Sequence, residues 1–305
     1  MKSSQRGVVV ITAILVVAFV ASIASFIAWQ LQLRMRQSEN MVDRSRSQAL
    51  VSASLDWIGM ELARDEGDTS CDHLDEPWAK AILSLPVDGA QLSGTVSDQQ
   101  GLFNLNNLGR DGDAGKADRE TFRRLLESLK LPPDLSAAVA DWVDADREAG
   151  MPGGAEDSEY LRQDPPYLSA NRPLDTVDAL YRIKGFTPEM VGRLRPFVTA
   201  LPVPTPINVN TAPAEVLAAA IDGLSLEQAR EVAREREEQY FAELGEFRAL
   251  LSKMGVVLNN PNLDVKSRYF QIRGQVAHGR GKAYFEALIE RRGSVLPTIV
   301  WQKMP

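Results

Sequence analysis

The chain has 305 residues, 25% charged and 44% hydrophobic, with a formal net charge of −7; this suits one membrane anchor plus two compact domains and speaks against disorder. Residues 1–36 hold Lys2, Arg6, Arg34 and Arg36 and no acid, a charge of +4 that leaves −11 on the rest and argues against a general nucleic-acid surface. A single cysteine, Cys71, excludes an intrachain disulfide and a cysteine-built zinc cage, and with only His73 and His278 there is no histidine cluster.

Between Arg6 and Arg34 no charged residue occurs, and Val8 to Ile27 is a mostly aliphatic run of the length that crosses a bilayer as a helix. Lys2 and Arg6 hold its start in the cytoplasm, and Trp29 sits where an aromatic belt residue would. A cleaved signal peptide would have a shorter apolar core with its cutting site behind it; Ala21, Ser22, Ala24 and Ser25 leave room for that alternative. The sharper signal lies in front. Gln5-Arg6-Gly7 followed by Val8 resembles the site cut by prepilin peptidases, with cleavage after Gly7 and, in related proteins, methylation of the new terminus. Helical patterning continues without Gly or Pro to Trp57, with Leu31, Met35, Val42, Ala49, Ala53, Trp57 and Met60 near one face of a 3.6-residue period. One helix from Val8 to Ala63 is the shape of a pilin spine, half in the membrane and half packed on a globular head. Pilins typically have Glu as the fifth mature residue, to neutralise a neighbour's terminal amine; here it is Thr12. A Thr there can bond its own helix backbone, and its presence points to a subunit with no such neighbour, at a filament tip.

Asp98-Gln99-Gln100-Gly101 reads as a turn between short strands Leu92–Ser97 and Leu102–Leu105. From Gly109 to about Lys253 the chain turns helical and acidic. Strand patterns return at Tyr269–Ala277, Tyr284–Ile289 and Val295–Trp301, separated by turns with Gly279, Gly281 and Gly293, and Phe270, Ile272 and Val276 share one face. Strands on both sides of a helical block predict an α+β fold: one antiparallel sheet, packed on the lower half of the long helix, with a helical domain inserted in its middle.

The string Gly101 to Leu108, the run Gly154 to Tyr160 and the string Ile207 to Ala212 together resemble protein K of the type II secretion system, a minor pseudopilin family, over nearly the whole chain. The resemblance implies residues 1–7 as prepilin leader, 8–63 as transmembrane and spine helix, 64–108 and 261–305 as the two parts of a pilin-like core, and 109–260 as the inserted helical domain. It also implies a place at the pseudopilus tip with the I and J minor pseudopilins, contacts with other pseudopilins and the inner-membrane secretion platform, processing by prepilin peptidase, and a periplasmic head. Absence of the usual Glu is a family trait, which Thr12 fits.

Residues 141–178 hold ten acids against three basic residues, around a loop containing Pro152, Gly153, Gly154, Pro165 and Pro166. Many carboxylates without Cys or His suit Ca²⁺, which takes six to eight oxygens in flexible geometry. Asp144-Ala-Asp146-Arg-Glu148 has the opening spacing of an EF-hand loop but lacks its later Gly and Glu. Family members bind calcium in the inserted domain, so the ligands expected here are Asp144, Asp146, Glu156 and Asp157; a solvated acidic loop is the alternative. Two segments, Leu180–Leu194 and Val209–Ser225, resemble helix-hairpin-helix units, which would suit a DNA-binding membrane protein of a competence-like uptake system. Neither has the Gly-x-Gly turn that offers amides to phosphate, and residues 208–253 carry nine acids against five basic residues. Packing is the better reading, with Thr187 and Thr211 capping helices and Pro188 and Pro213 in their first turns. No Ser/His/Asp order or phosphate loop can be drawn, so no catalytic residues and no enzymatic activity are expected.

Overall fold

In the computed structural model, which describes residues 4–68, 70–87, 89–150, 152–278, 281–293 and 295–304, helix α1 runs unbroken over Ser4–Asp68. Its 65 residues make about 97 Å at 1.5 Å per residue. Lys2 and Gly279, invoked above for orientation and for a turn, lie outside the described residues. The aliphatic first third is uncovered by protein and apolar enough to span a membrane, with a mean hydropathy of 2.8 in its most apolar window.

After α1 come β1 (Ile82–Val87), β2 (Ala90–Asp98) and the two-residue β3 (Phe103–Asn104), then helices α2 (Gly112–Ser128), α3 (Leu135–Val143), α4 (Asp157–Tyr160) and α5 (Pro188–Leu194). Two short strands follow, β4 (Val198–Thr199) and β5 (Ile207–Asn208), and then α6 (Ala214–Ala220), α7 (Leu226–Glu238) and α8 (Leu244–Lys253). The chain closes with β6 (Leu263–Asp264), β7 (Tyr269–His278), β8 (Gly281–Arg292) and β9 (Val295–Lys303). The main sheet is antiparallel in the order β1-β2-β7-β8-β9. Its neighbours β2 and β7 pair from Gln91↔Ala277 to Asp98↔Phe270, although 170 residues, 99 to 268, separate them in the chain. The returning strands match the alternation read from sequence, and Gly281 opens β8 rather than sitting in a turn. The turn at 98–101 also forms, but its flanking strands serve different sheets: β3 pairs parallel with β4.

One sheet face carries Leu92, Val96, Phe270, Ile272, Val276, Phe285, Ala287 and Ile289, packed with Trp78 and with Leu50, Val51, Leu55, Ile58 and Leu62 of α1. Gly59 lets the helix come close to Pro297 of β9. The stripe singled out in the sequence lies outside this contact. Leu31, Met35, Val42, Trp57 and Met60 are exposed, as are Ala49 and Ala53. Both stripes recur every 3.6 residues, but the sheet takes the more continuous aliphatic one, which places the other on the far side of the helix.

A second core, built from Phe103, Phe122, Leu126, Val139, Val216, Leu251 and their neighbours, occupies the helical region. The short helices, strands and loops there have few internal hydrogen bonds, and buried asparagines supply others. Asn104 accepts from the Leu201 amide and donates to the Val203 carbonyl, Asn106 accepts from the Leu174 amide and donates to the Leu174 and Leu201 carbonyls, and Asn107 bonds the amide and carbonyl of Thr205. Asn210 does the same for Phe241. An asparagine side chain mimics a peptide group, so these positions act as strand partners for loops. Thr187 caps α5 through the Met190 amide, with Pro188 at its first position. Thr211 does not cap: α6 starts at Ala214 with Pro213 at the cap, because a turn closed by Ala212 N–H to Asn208 C=O intervenes. Its hydroxyl instead donates to Asp98 at 2.5 Å. A Cβ on Gly101 would lie 2.6 Å from the Thr211 hydroxyl oxygen and 2.9 Å from its carbonyl carbon. Gly101→Ala is therefore expected to destabilise the chain by about 1–3 kcal/mol, read as a shift in denaturation midpoint; an unshifted midpoint would mean that the turn relaxes freely.

Candidate functional site

Asp141, at the end of α3, organises the acidic loop. Its carboxylate accepts the Gly150 amide at 3.0 Å and the Ala155 amide at 2.8 Å. Glycine is required there: a Cβ on Gly154 would meet the Gly150 carbonyl oxygen at 2.2 Å and Asp141 Oδ2 at 2.3 Å. The turn so formed brings carboxylate oxygens of Asp144, Asp146 and Glu156 within 4.8 Å of one another. Asp144 Oδ1, both Glu156 carboxylate oxygens, Ser169 Oγ and Asn171 Oδ1 are buried without a hydrogen-bond partner. Orphaned buried oxygens of this kind are costly, and carboxylate, hydroxyl and amide oxygens are the ligand types of a hard-cation shell. Burial, reinforced by the Asp146 and Asp141 carboxylates, raises Asp144 to about 6. Burial again, then Asp141 and Asp144, raises Glu156 to about 7.

Three of the four ligands expected from sequence thus converge. Asp157 stands outside the group and accepts the Ser169 amide at 3.0 Å, tying down the segment that brings in Ser169 and Asn171. Asn171 adopts a positive φ of 44° and donates to the Asp146 carbonyl at 2.9 Å, a backbone region open to asparagine. Ser169 and Asn171, with their orphaned oxygens, went unread in the sequence because they follow the acids by twelve residues or more with no spacing rule to mark them.

A second polar cluster lies where α1, the sheet and the helical region meet. Arg291, at the end of β8, donates to both oxygens of Asp72, at 2.5 and 2.7 Å, to Asp65 at 3.1 Å and to the Ser267 carbonyl at 2.7 Å. Its guanidinium lies 4.9 Å from the centre of the Phe270 ring. Asp98, fully enclosed at the end of β2, accepts from Ser267 at 2.6 Å, Asn208 at 3.0 Å, Thr211 and the Gln100 amide. Asn208 also bonds the Asp72 carbonyl, so every element crossing the joint shares one network.

The helix-hairpin-helix-like segments are turned inward. Gly185 closes its hairpin against Leu135, Lys184 is bound to Glu159 at 2.7 Å, and Arg193 donates to the Leu129 carbonyl. Two of the three cations of the first segment, Lys184 and Arg193, are thus engaged with protein, which supports packing over phosphate binding. At the N-terminus, Thr12 donates to the Val8 carbonyl at 2.8 Å, as its position in an apolar helix requires. Gly7 and Val8 both lie inside α1.

A long apolar helix laid along one face of an antiparallel sheet, with a helical block between two adjacent strands, defines a membrane-anchored, pilin-like subunit. Family models described as type II secretion system protein K match residues 101–203 and 207–266, more than half of the chain together. Type II secretion system protein K of Pseudomonas aeruginosa is 32% identical over 95% of this chain and 90% of that protein, and its counterpart in Aeromonas hydrophila is 30% identical over 94% and 93%. The chain belongs to the type II secretion system protein K family. Its fold also matches, with a TM-score of 0.70 at 23% identity over 88% of this chain and 99% of the other, a chain in the crystal structure of the GspK-GspI-GspJ complex from enterotoxigenic Escherichia coli.

Proposed function

We propose that this minor pseudopilin of type II secretion caps the pseudopilus, standing at its tip with the I and J subunits and helping to start assembly. The observation that carries the reading is the uncovered apolar face of α1, from Leu31 through Met35, Val42 and Trp57 to Met60. It spans 30 residues, about 45 Å of helix, and suits the spine helices of neighbouring subunits. Inside the bilayer the small residues Ala13, Ala18, Ala21, Ser22, Ala24 and Ser25 allow close helix packing. The solved complex of K, I and J supports the choice of partners. The 170 residues between β2 and β7 favour the tip, because a head so enlarged would collide with a subunit stacked above it. Thr12 bonds its own helix and offers no charge to a neighbour's amine. The N-terminus then faces the cytoplasm and the head the periplasm, with the inner-membrane platform and the other pseudopilins as further partners and no catalytic role. Cysteine pairs placed along α1 and its neighbours should crosslink this chain to I and J, in one copy per filament. Repeated self-crosslinks along the shaft would refute the tip position.

Prepilin peptidase is expected to cut after Gly7, leaving Val8 as a methylated N-terminus. Gly7→Asp should leave the precursor uncut, because a small residue is needed beside the scissile bond; N-terminal sequencing that begins after Ala24 or Ser25 would overturn the pilin processing.

Calcium is the cation that the acidic loop suits best. Asp144, Asp146 and Glu156 would hold it, with Ser169 Oγ and Asn171 Oδ1 as neutral ligands and Asp157 holding the Ser169 segment in place. An all-oxygen set mixing carboxylates, a hydroxyl and an amide favours calcium over the stricter octahedron of magnesium. Its role is structural, replacing mutual carboxylate repulsion with coordination.

A further inference from the structure

Residues 167–172 form an irregular segment beside the acidic loop, with Asn171 at a positive φ of 44°. The Ser169 amide donates to Asp157 and the Asn171 side chain to the Asp146 carbonyl, which ties the segment to that loop. Tyr167, Leu168, Ala170 and Arg172 of the same segment line a groove of about 530 Å³, completed by Trp142, Tyr181 and Arg182. Two of its lining rings, Trp142 and Tyr167, pack with the buried Tyr160, with ring centres 5.0 Å apart for Trp142 and Tyr160, 5.3 Å for Tyr160 and Tyr167, and 6.4 Å for Trp142 and Tyr167. Tyr167, Tyr181 and Leu168 stand 36%, 49% and 59% exposed. Aromatic side chains beside arginine, in a preformed concavity, are the composition of an interface anchor site.

The charge of the groove identifies what it would take. Asp175 is paired with Arg172, and Asp178 with Arg195. Arg182 makes no ion pair among the described residues, and only its carbonyl is engaged, by the Tyr167 hydroxyl at 2.8 Å. A cation without an ion pair among the described residues, in a groove lined by Trp142, Tyr167 and Tyr181, stands out in a chain carrying −11 beyond residue 36. We infer that this groove docks an extended segment of a partner protein that presents an aromatic or aliphatic side chain flanked by carboxylates. The apolar side chain fills the space between Tyr167, Leu168 and Tyr181, and a carboxylate pairs with Arg182. The 167–172 segment is one wall of both the groove and the acidic loop, so a bound cation holds the groove in shape; this dependence rests on the calcium reading above, whereas the groove does not.

The test uses the full chain in detergent micelles with millimolar calcium. The probe is a fluorescein-labelled decapeptide of Gly and Ser with one Phe between two Asp, followed by fluorescence anisotropy. Saturable binding is expected, weakened at least about tenfold by Arg182→Glu or Tyr181→Ala, and equally weak for a peptide with Lys in place of Asp. Arg182 and Tyr181 are exposed, so both variants should fold, and calcium uptake measured by calorimetry on the same samples checks that they do. No binding, equal binding of the two peptides, or binding indifferent to Arg182→Glu overturns the proposal. Peptide binding without calcium uptake sustains the groove and sinks the metal reading, and calcium uptake without peptide binding does the reverse.

Discussion

Arg291→Met is expected to destabilise the head by on the order of 3–5 kcal/mol, the range seen when one partner of a buried ion pair is removed. The Arg291 side chain is 4% exposed and faces Asp72 at 2% and Asp65 at 10%, so the substitution would leave two carboxylates in a site that water barely reaches. The loss should fall on the joint in particular, because Asp72 also accepts the Ser267 amide and Ser267 in turn donates to Asp98. Denaturant titration of the variant should show the lowered midpoint. Adding Asp72→Asn to Arg291→Met should recover part of it, since the added change removes one of the stranded charges. A loss below about 1 kcal/mol would place the joint among weak surface pairs and end its role as the tie between sheet and helical block.

Chelation should lower the melting temperature of the calcium-loaded chain. A ligand that binds only the native state at a hundredfold excess over Kd stabilises it by about 2.7 kcal/mol, or about 5–10 °C for a head of this size. Magnesium should restore little of the loss. The pH dependence should reverse with the metal. In the metal-free chain Glu156 is raised to about 7 and Asp144 to about 6, above their unfolded values, so the native state holds more protons than the unfolded state. Stability of that form should rise as pH falls through 7 toward 5. With calcium bound the ligands are ionised, protons compete with the metal, and stability should fall over the same range. Calorimetric scans at pH 8 and pH 5.5, with calcium and with EDTA, would show both slopes. Identical scans with and without EDTA would return the loop to an ordinary solvated acidic surface.

The parts legible in the sequence were those set by local physics. An uncharged aliphatic run of bilayer length can satisfy its backbone only as a helix. Alternation in 269–278 and 284–289 specifies strands with one buried face, and Thr187-Pro188 announces a helix start. Acid content and the absence of sulfur and imidazole narrowed the metal chemistry to oxygen ligands. What was not legible was which group, far away in the chain, each side chain would meet. The stripe Leu31–Met60 has a proper helical period, but periodicity cannot tell a face that meets the sheet from one left for another subunit. Thr211 sits where a cap would, yet its hydroxyl is taken by Asp98, more than a hundred residues earlier.

The sequence by itself determined the anchor, the closing strands and the helical block, because these follow from composition and period over short windows. Only the tertiary structure decided that β2 and β7 are neighbours across 170 residues, that Arg291 meets Asp65 and Asp72, and that Asn171 reaches Asp146 while Leu168 and Arg172 line a groove. Such pairings are chosen by burial. A charge or an orphaned oxygen taken out of water must find a counterpart wherever the fold places one, and no local pattern records where that will be.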